Sequence, residues 1–259
     1  MNANIKKIGI VSRDYREMEK NGFRDFSYSL ESILKVLNEQ NCDSVLFSLF
    51  TIDKESSFNA MDILNRLSLD SIKTVFLEEF EDGDERKHKD YVIYSSDKDQ
   101  WKEQRFAQRF AKGGIKDKVA KSFKKEVQEE RLFANYTVLL CGETNIVNYK
   151  MHSKKIEDTH KFCEVLSKDI EIILNPIHDR MTRFEMKLKR KFLSKNNRWV
   201  ISVWNKGKSN SSGEVLNYKT PDWTIFYNEE EIEIEPIECE IESQADIKIG
   251  ILDLNNQNK

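Results

Sequence analysis

Cys141 is the residue whose position most clearly invites chemistry. It closes an apolar, β-rich run, Tyr136-Thr-Val-Leu-Leu-Cys141, and opens a polar loop, Gly142-Glu-Thr-Asn145. A thiol at the C-terminal end of a strand sits exposed on a rigid base. As a thiolate it can attack a carbonyl or nitrile carbon, if a base takes its proton and a cation steadies the oxyanion. Glu143, two residues on, is the first candidate for that base, and Asn145 is a candidate substrate contact. A second polar group, His178, Asp179 and Arg180, follows Asn175-Pro176 at another strand end. Each has a bland counterpart. A strand cysteine is more often a small buried hydrophobe, a strand-end Glu is usually solvated, and Asp179 could simply sit near the positive end of a helix dipole.

Elements must hold these residues in place, and the hydrophobic periodicity supplies them. Ile5 to Ser12 predicts a first strand, and Leu30, Ile33, Leu34 and Leu37 predict an amphipathic helix from about Phe26 to Glu39. Strands follow at Val45–Ile52, Thr74–Leu77 and Tyr91–Tyr94, with a helix at Ala60–Leu67. Residues 101–134 read as helical or mixed, broken at Gly113-Gly114. Beyond the Cys141 strand, Ile156, Cys163 and Leu166 predict a helix, Ile170–Leu174 a strand, Met181–Leu193 a basic helix and Trp199–Trp204 a strand. The tail is strand-like at Trp223–Tyr227, in the alternating Glu/Ile stretch 231–242, and at Ile247–Leu252. No repeat and no linker interrupts this rhythm, so residues 1–259 are expected to form a single α/β domain.

Composition narrows the function classes. Of 259 residues, 42 are Lys or Arg and 45 are Asp or Glu, a formal charge of −3 that excludes a generally basic nucleic-acid binder. Two basic stretches, 105–125 and 180–198, face an acidic one at 229–242 that holds eight Glu and no basic residue. Charge matching within the chain or across a dimer is the preferred reading; nucleic-acid association is possible but not favoured. No run approaches the roughly 20 apolar residues that span a bilayer, so no membrane partner is expected. The four cysteines form no CxxC pair and no zinc spacing, which suggests free thiols in a reducing, cytoplasmic setting, with no metal and no cofactor.

Four segments in order resemble the carbon–nitrogen hydrolase (nitrilase) superfamily. They are Asn41-Cys-Asp-Ser-Val-Leu-Phe-Ser-Leu49; Trp101-Lys102 before Arg105-Phe106; Val138-Leu-Leu-Cys-Gly-Glu-Thr-Asn145; and Ile172-Ile-Leu-Asn-Pro176 with Arg198-Trp-Val-Ile-Ser-Val-Trp-Asn-Lys-Gly207. The closing Ile249-Gly-Ile-Leu-Asp-Leu254 fits the family's last strand. The resemblance implies an α-β-β-α sandwich of two stacked mixed sheets flanked by helices. It also implies hydrolysis of a C–N bond in a small amide or nitrile through a cysteine thioester, with Cys141 as nucleophile. Lys102 would be the oxyanion-stabilising lysine, with Lys98 competing for the part, and the loop with His178, Asp179 and Arg180 would line the pocket as candidate substrate contacts. It further implies a homodimer, with residues 156–166 and 181–193 at the two-fold axis.

One position departs from the family pattern. Where the general-base Glu would close the strand stands Leu49, with Asp53 and Glu55 four and six residues beyond. A leucine cannot accept a proton. Either an unusual base replaces it, with Glu143 first and Glu55 second, or the chain is a catalytically degenerate binding or regulatory module.

Overall fold

The apolar run Ile8-Gly-Ile-Val11 makes Lys7–Arg13 a strand whose two faces bury different partners. Ile8 and Ile10 point into one hydrophobic cluster, whereas Val11 joins another together with the stripe Leu30, Ile33, Leu34 and Leu37. Gly9 lies on the helix side, where a Cβ would stand 2.5 Å from a Leu37 methyl, so only glycine lets that helix approach so closely.

A computed structural model describes residues 3–14, 26–54, 58–81, 90–97, 100–179, 184–207, 221–239, 241 and 247–255. The strands are β1 (Lys7–Arg13), β2 (Ser44–Phe47), β3 (Ile52–Asp53), β4 (Thr74–Phe80), β5 (Asp90–Asp97), β6 (Gln100–Phe106), β7 (Tyr136–Val138), β8 (Asn148–Lys150), β9 (Lys155–Glu157), β10 (Ile172–Asp179), β11 (Trp199–Asn205), β12 (Trp223–Tyr227), β13 (Glu230–Ile232) and β14 (Ile247–Asp253). The helices are α1 (Leu30–Glu39), α2 (Ala60–Arg66), α3 (Asp117–Glu130) and α4 (Phe184–Leu193).

The first sheet runs β14-β1-β2-β4-β5-β6, with β3 also paired to β4; the second runs β13-β12-β11-β10-β7. Each is mixed: β1, β2 and β4 are mutually parallel, as are β7, β10 and β11, while β14, β5 and β12 pair antiparallel with β1, β4 and β11. Residues from both sheets share one core, in which Ile10, Leu46, Phe76 and Ile93 meet Val138, Leu174, Ile201 and Ile225. Helices α1 and α2 cover the outer face of the first sheet. Helix α3 and Leu193 of α4 cover that of the second. The expected sandwich of two stacked mixed sheets flanked by helices is therefore the architecture observed.

Several local expectations need correction. Residues 100–106 are an edge strand, not a helix, and only Asp117–Glu130 of the 101–134 stretch is α-helical. The expected helix over Ile156–Leu166 is absent. Those residues form β9 and a short 3-10 turn, separated by Lys161 at a φ of 53° that no α-helix tolerates. Among the described residues of the acidic tail, only Glu230–Ile232 joins a sheet, followed by an isolated bridge from Pro236 to Gly250. The basic helix begins its described part at Phe184; residues 181–183 lie outside the described residues.

Charge matching within the chain is observed where α4 meets the acidic tail: Lys187 lies 2.9 Å from Glu231, and Lys195 3.7 Å from Glu229. Among the described residues, no helix is long and apolar enough to cross a membrane.

The two sheets are stitched together at the C-terminal ends of their parallel strands. Asn205 Nδ2 donates to the carbonyls of Leu49 (2.7 Å) and His178 (2.9 Å), and Ser48 Oγ donates to Asn205 Oδ1 at 2.6 Å. Leu49 N–H donates to the Ile177 carbonyl at 3.2 Å. In α/β sheets this end of the parallel strands is where ligands bind.

Candidate active site

Cys141 stands at this end, on a sharp elbow. The chain leaves β7 extended, turns at Cys141 with a φ of +35°, and continues as a 3-10 turn over Cys141–Ile146. A non-glycine residue held there is strained, and strain of this kind persists only where the surroundings enforce it. Three features do so. At Gly142 a Cβ would stand 2.2 Å from the Ala111 carbonyl oxygen, so no side chain fits. Asn175 on β10 donates to the carbonyls of Leu139 (2.5 Å) and Cys141 (3.3 Å), and is itself fixed by Ser202 Oγ at 3.1 Å. The third is Glu143.

Glu143 is fully buried beneath the elbow. Its Oε2 accepts from Leu140 N–H and Arg131 Nη1, both at 2.8 Å, and its Oε1 accepts from Arg109 N–H at 2.7 Å. Burial pushes its pKa up, to about 7, against the pull of Arg131 and the two backbone donors. The carboxylate braces the turn. Its oxygens are engaged by these donors, not directed to the sulfur, so the geometry does not favour it as the base.

Asn145 is likewise a brace. Its Nδ2 donates to the Ala111 carbonyl at 2.8 Å, and its Oδ1 accepts from the buried Lys189 ammonium of α4. Lys102 lies on the edge strand β6 with its side chain 65% exposed, paired with Asp97 at 2.9 Å. Nothing brings it to the elbow. Lys98, Glu55 and Arg180 lie outside the described residues, and Asp179 ends β10 paired in register with Asn205.

His178 is the predicted residue that does meet Cys141. It lies near the end of β10, not at a helix start, and its ring packs on Phe50 with centroids 4.4 Å apart. Nε2 sits 2.9 and 3.0 Å from the two carboxylate oxygens of Glu78, and Cys141 is among the neighbours that raise the ring's pKa. Burial alone would push the imidazole's pKa down. The Glu78 charge and its hydrogen bond, together with the neighbouring Cys141, outweigh it and lift the group to about 9. At neutral pH the ring therefore carries a proton.

Glu78 itself was not singled out from the sequence. It lies on β4 with 3% exposure, and Phe50 N–H donates to its Oε2 at 2.8 Å. Phe50 is held at a φ of 61°, and the backbone N–H of Glu78 donates to Thr51 Oγ1 at 3.0 Å. A signal existed. Glu78 shares strand parity with Phe76, whose side chain is in the inter-sheet core, so its carboxylate had to face inward. Leu49 is 1% exposed and part of that core, and the carboxylate beside it comes from the neighbouring strand β4.

Cys141, His178 and Glu78 thus form a line of thiol, imidazole and carboxylate drawn from both sheets. This is the order of roles that recurs in cysteine and serine hydrolases on unrelated folds. Among the described residues, no group of three or more His, Cys, Asp or Glu side chains is placed to hold a metal ion.

No family model and no curated protein matches the chain. Solved structures do resemble it in fold, at low identity. The NitFhit protein of C. elegans is 11% identical, with a TM-score of 0.48 over 98% of this chain and 62% of that one. This chain thus spans under two thirds of NitFhit's length. A mutant of the amidase from Nesterenkonia sp. AN1, with the acetamide moiety of fluoroacetamide added covalently at its active-site cysteine, is 10% identical, with a TM-score of 0.49 over 100% and 97% of the two chains. A carbon-nitrogen hydrolase from Helicobacter pylori G27 is 10% identical, with a TM-score of 0.49 over 97% and 90%. These likenesses concern the fold, and no residue role is taken from them.

Proposed function

We propose that the chain is a cysteine-dependent hydrolase acting on a C–N bond of a small amide, in which His178 and Glu78 take over the acid–base work that Leu49 cannot do. The observation that carries this reading is His178, bonded to Glu78 at 2.9 Å, standing beside the strained Cys141.

In the first half-reaction Cys141 Sγ attacks the amide carbon as the thiolate, its proton resting on His178 as the imidazolium, and the carbonyl π-electrons move to oxygen. As the tetrahedral species collapses, the His178 imidazolium gives its proton to the leaving nitrogen. The C–N bond breaks, the amine departs, and an acyl thioester remains. In the second half, water attacks the thioester carbon while His178, now neutral, takes the water proton. The C–S bond breaks, the acid leaves, and the starting protonation is restored. Glu78 holds the ring's Nε2–H throughout and steadies its positive charge, and the elbow supplies a rigid platform.

The test is turnover of a panel of small amides with Cys141→Ala, His178→Gln and Glu78→Gln variants. Loss of activity in Cys141→Ala and His178→Gln is expected. Turnover undiminished in either would overturn the reading.

A second reading has its own support: with Leu49 buried and Lys102 in solvent, a fold that binds a small molecule without hydrolysing it is the alternative. Absence of turnover together with a native Cys141 that resists alkylation would favour it. The homodimer remains a proposal. Met151 (79% exposed) and Phe184 (64% exposed, edge-on to Tyr149) offer it an apolar face, and light scattering at micromolar concentration checks it.

A further inference from the structure

The link between β2 and β3 holds a residue to which the mechanism above assigns no part. Phe50 stands at a φ of 61°, in the left-handed region that glycine enters freely and a bulky side chain enters only under strain. Its surroundings must therefore hold it there. Its N–H donates to Glu78 Oε2 at 2.8 Å, and its ring packs on the His178 ring at 4.4 Å, tilted by 49°. The same ring meets Phe80 edge-on, with centroids 5.1 Å apart.

The next residue completes the grip on Glu78. Thr51 N–H donates to the Glu78 carbonyl at 3.2 Å. Thr51 Oγ1 accepts from the Glu78 N–H at 3.0 Å while donating to the Ser48 carbonyl at 3.1 Å. Two consecutive residues thus fix the main chain of Glu78 at both its N–H and its C=O, and one oxygen of its carboxylate as well.

This matters because the terminal torsions of a carboxylate and an imidazole are broad, so neither group sets its own plane. Both oxygens of Glu78 lie within 3.0 Å of His178 Nε2, an arrangement that needs the carboxylate plane and the ring fixed together. The two groups come from different sheets. Phe50 touches both, the carboxylate through its backbone and the ring through its side chain. The angle φ sets the direction of a residue's side chain relative to its own N–H, so the left-handed value is what lets one residue reach both partners.

We infer that Phe50 is a positioning residue for the proposed reaction: its N–H sets the Glu78 carboxylate and its ring sets the plane of the His178 imidazole, so that the pair stands ready beside Cys141. The inference rests on the functional reading above for the reaction, and on this geometry alone for the orientation of the pair.

The experiment compares the wild type with Phe50→Gly and Phe50→Tyr. Glycine keeps the N–H and accepts the left-handed turn but has no ring, whereas tyrosine keeps the ring. Two quantities are read on folded protein: exchange of the His178 Nε2 proton with water, by NMR, and kcat and KM for the small amide that the wild type turns over fastest. In Phe50→Gly the proton should exchange about tenfold faster or more, the equivalent of about one hydrogen bond. Its kcat should fall by about 10–10²-fold with KM nearly unchanged, since misplacing a reacting group by about 1 Å costs up to about 10²-fold. Phe50→Tyr should bring both quantities back towards the wild type. If Phe50→Gly does not fold, Phe50→Leu, which keeps apolar bulk without a flat ring, should show the same two changes.

Proton exchange that does not respond to loss of the ring would overturn the inference. So would a loss confined to stability, with kcat and exchange intact in the folded variant. The two readings fail separately. A wild type without turnover, whose Nε2 proton still exchanges faster in Phe50→Gly, removes the hydrolase and leaves Phe50 orienting the pair. Turnover together with exchange indifferent to Phe50 does the reverse.

Discussion

His178 Nε2 lies 2.9 Å from Glu78 Oε1, although 100 residues separate the two in the chain and they belong to different sheets. The pair gives the ring both its orientation and its charge.

Removing that charge should be visible at the sulfur. Glu78→Gln keeps an oxygen for the Phe50 N–H but no longer steadies an imidazolium. We expect His178 to titrate lower, and turnover to fall by about 10²–10⁴-fold, the usual contribution of acid–base assistance. NMR titration of the ring and the pH profile of kcat/KM check this together. An unshifted ring would contradict the assigned contact.

Stability should also report the pair. The folded state raises His178 from 6.5 to about 9, so it binds a proton that the unfolded chain releases between those values. The contribution is fully present below pH 6.5 and is lost as pH rises through 9. Its size is about 3 kcal/mol by linkage, as an order of magnitude. Urea unfolding from pH 6 to 10 should show this decline in the wild type and a flatter curve in His178→Gln.

The brace under the elbow makes a separate prediction. Arg131→Met leaves the Glu143 carboxylate buried without its partner, at a cost of about 3–5 kcal/mol. Chemical denaturation measures that loss. A change of under 1 kcal/mol would mean the pair is not the brace described.

Gly142→Ala should be poorly tolerated for a purely steric reason. The added methyl meets a backbone oxygen, which cannot swing aside like a side chain, so the elbow must shift at a cost of about 1–3 kcal/mol or more. Reactivity of Cys141 should drop with it.

The thiols should differ in reactivity. Cys42 and Cys163 are pushed up to about 12, each chiefly by burial. At pH 8, iodoacetamide should modify Cys141 well before either, as read by peptide mass spectrometry. Labelling of Cys42 or Cys163 first would contradict the site.

How much of this the sequence discloses depends on where each signal resides. The stripe Leu30, Ile33, Leu34, Leu37 is legible because one helix face carries it, and the Cys141 elbow because an apolar strand gives way abruptly to polar residues. Strand β6 is not. It lies at a sheet edge with Lys102, Glu103, Gln104 and Arg105 all exposed, so no apolar alternation marks it. Ile156, Cys163 and Leu166 imitate a helical period although a left-handed residue divides them. Glu78 is hidden for a deeper reason: its role depends on which strand of the other sheet lies opposite, and that is a property of sheet stacking. Lys102 and Glu143 fit a motif by local spacing, and the folded chain spends both on ion pairs.

Asn205 has a kinetic meaning beyond the bonds it makes. By clasping Leu49 from one sheet and His178 from the other, it completes the site only after the layers have docked. A folding intermediate with either layer alone would present a thiol without its imidazole–carboxylate partner, or that partner incomplete. Activity should therefore return no earlier than the last cooperative step of refolding, and the site itself becomes a clock for that step.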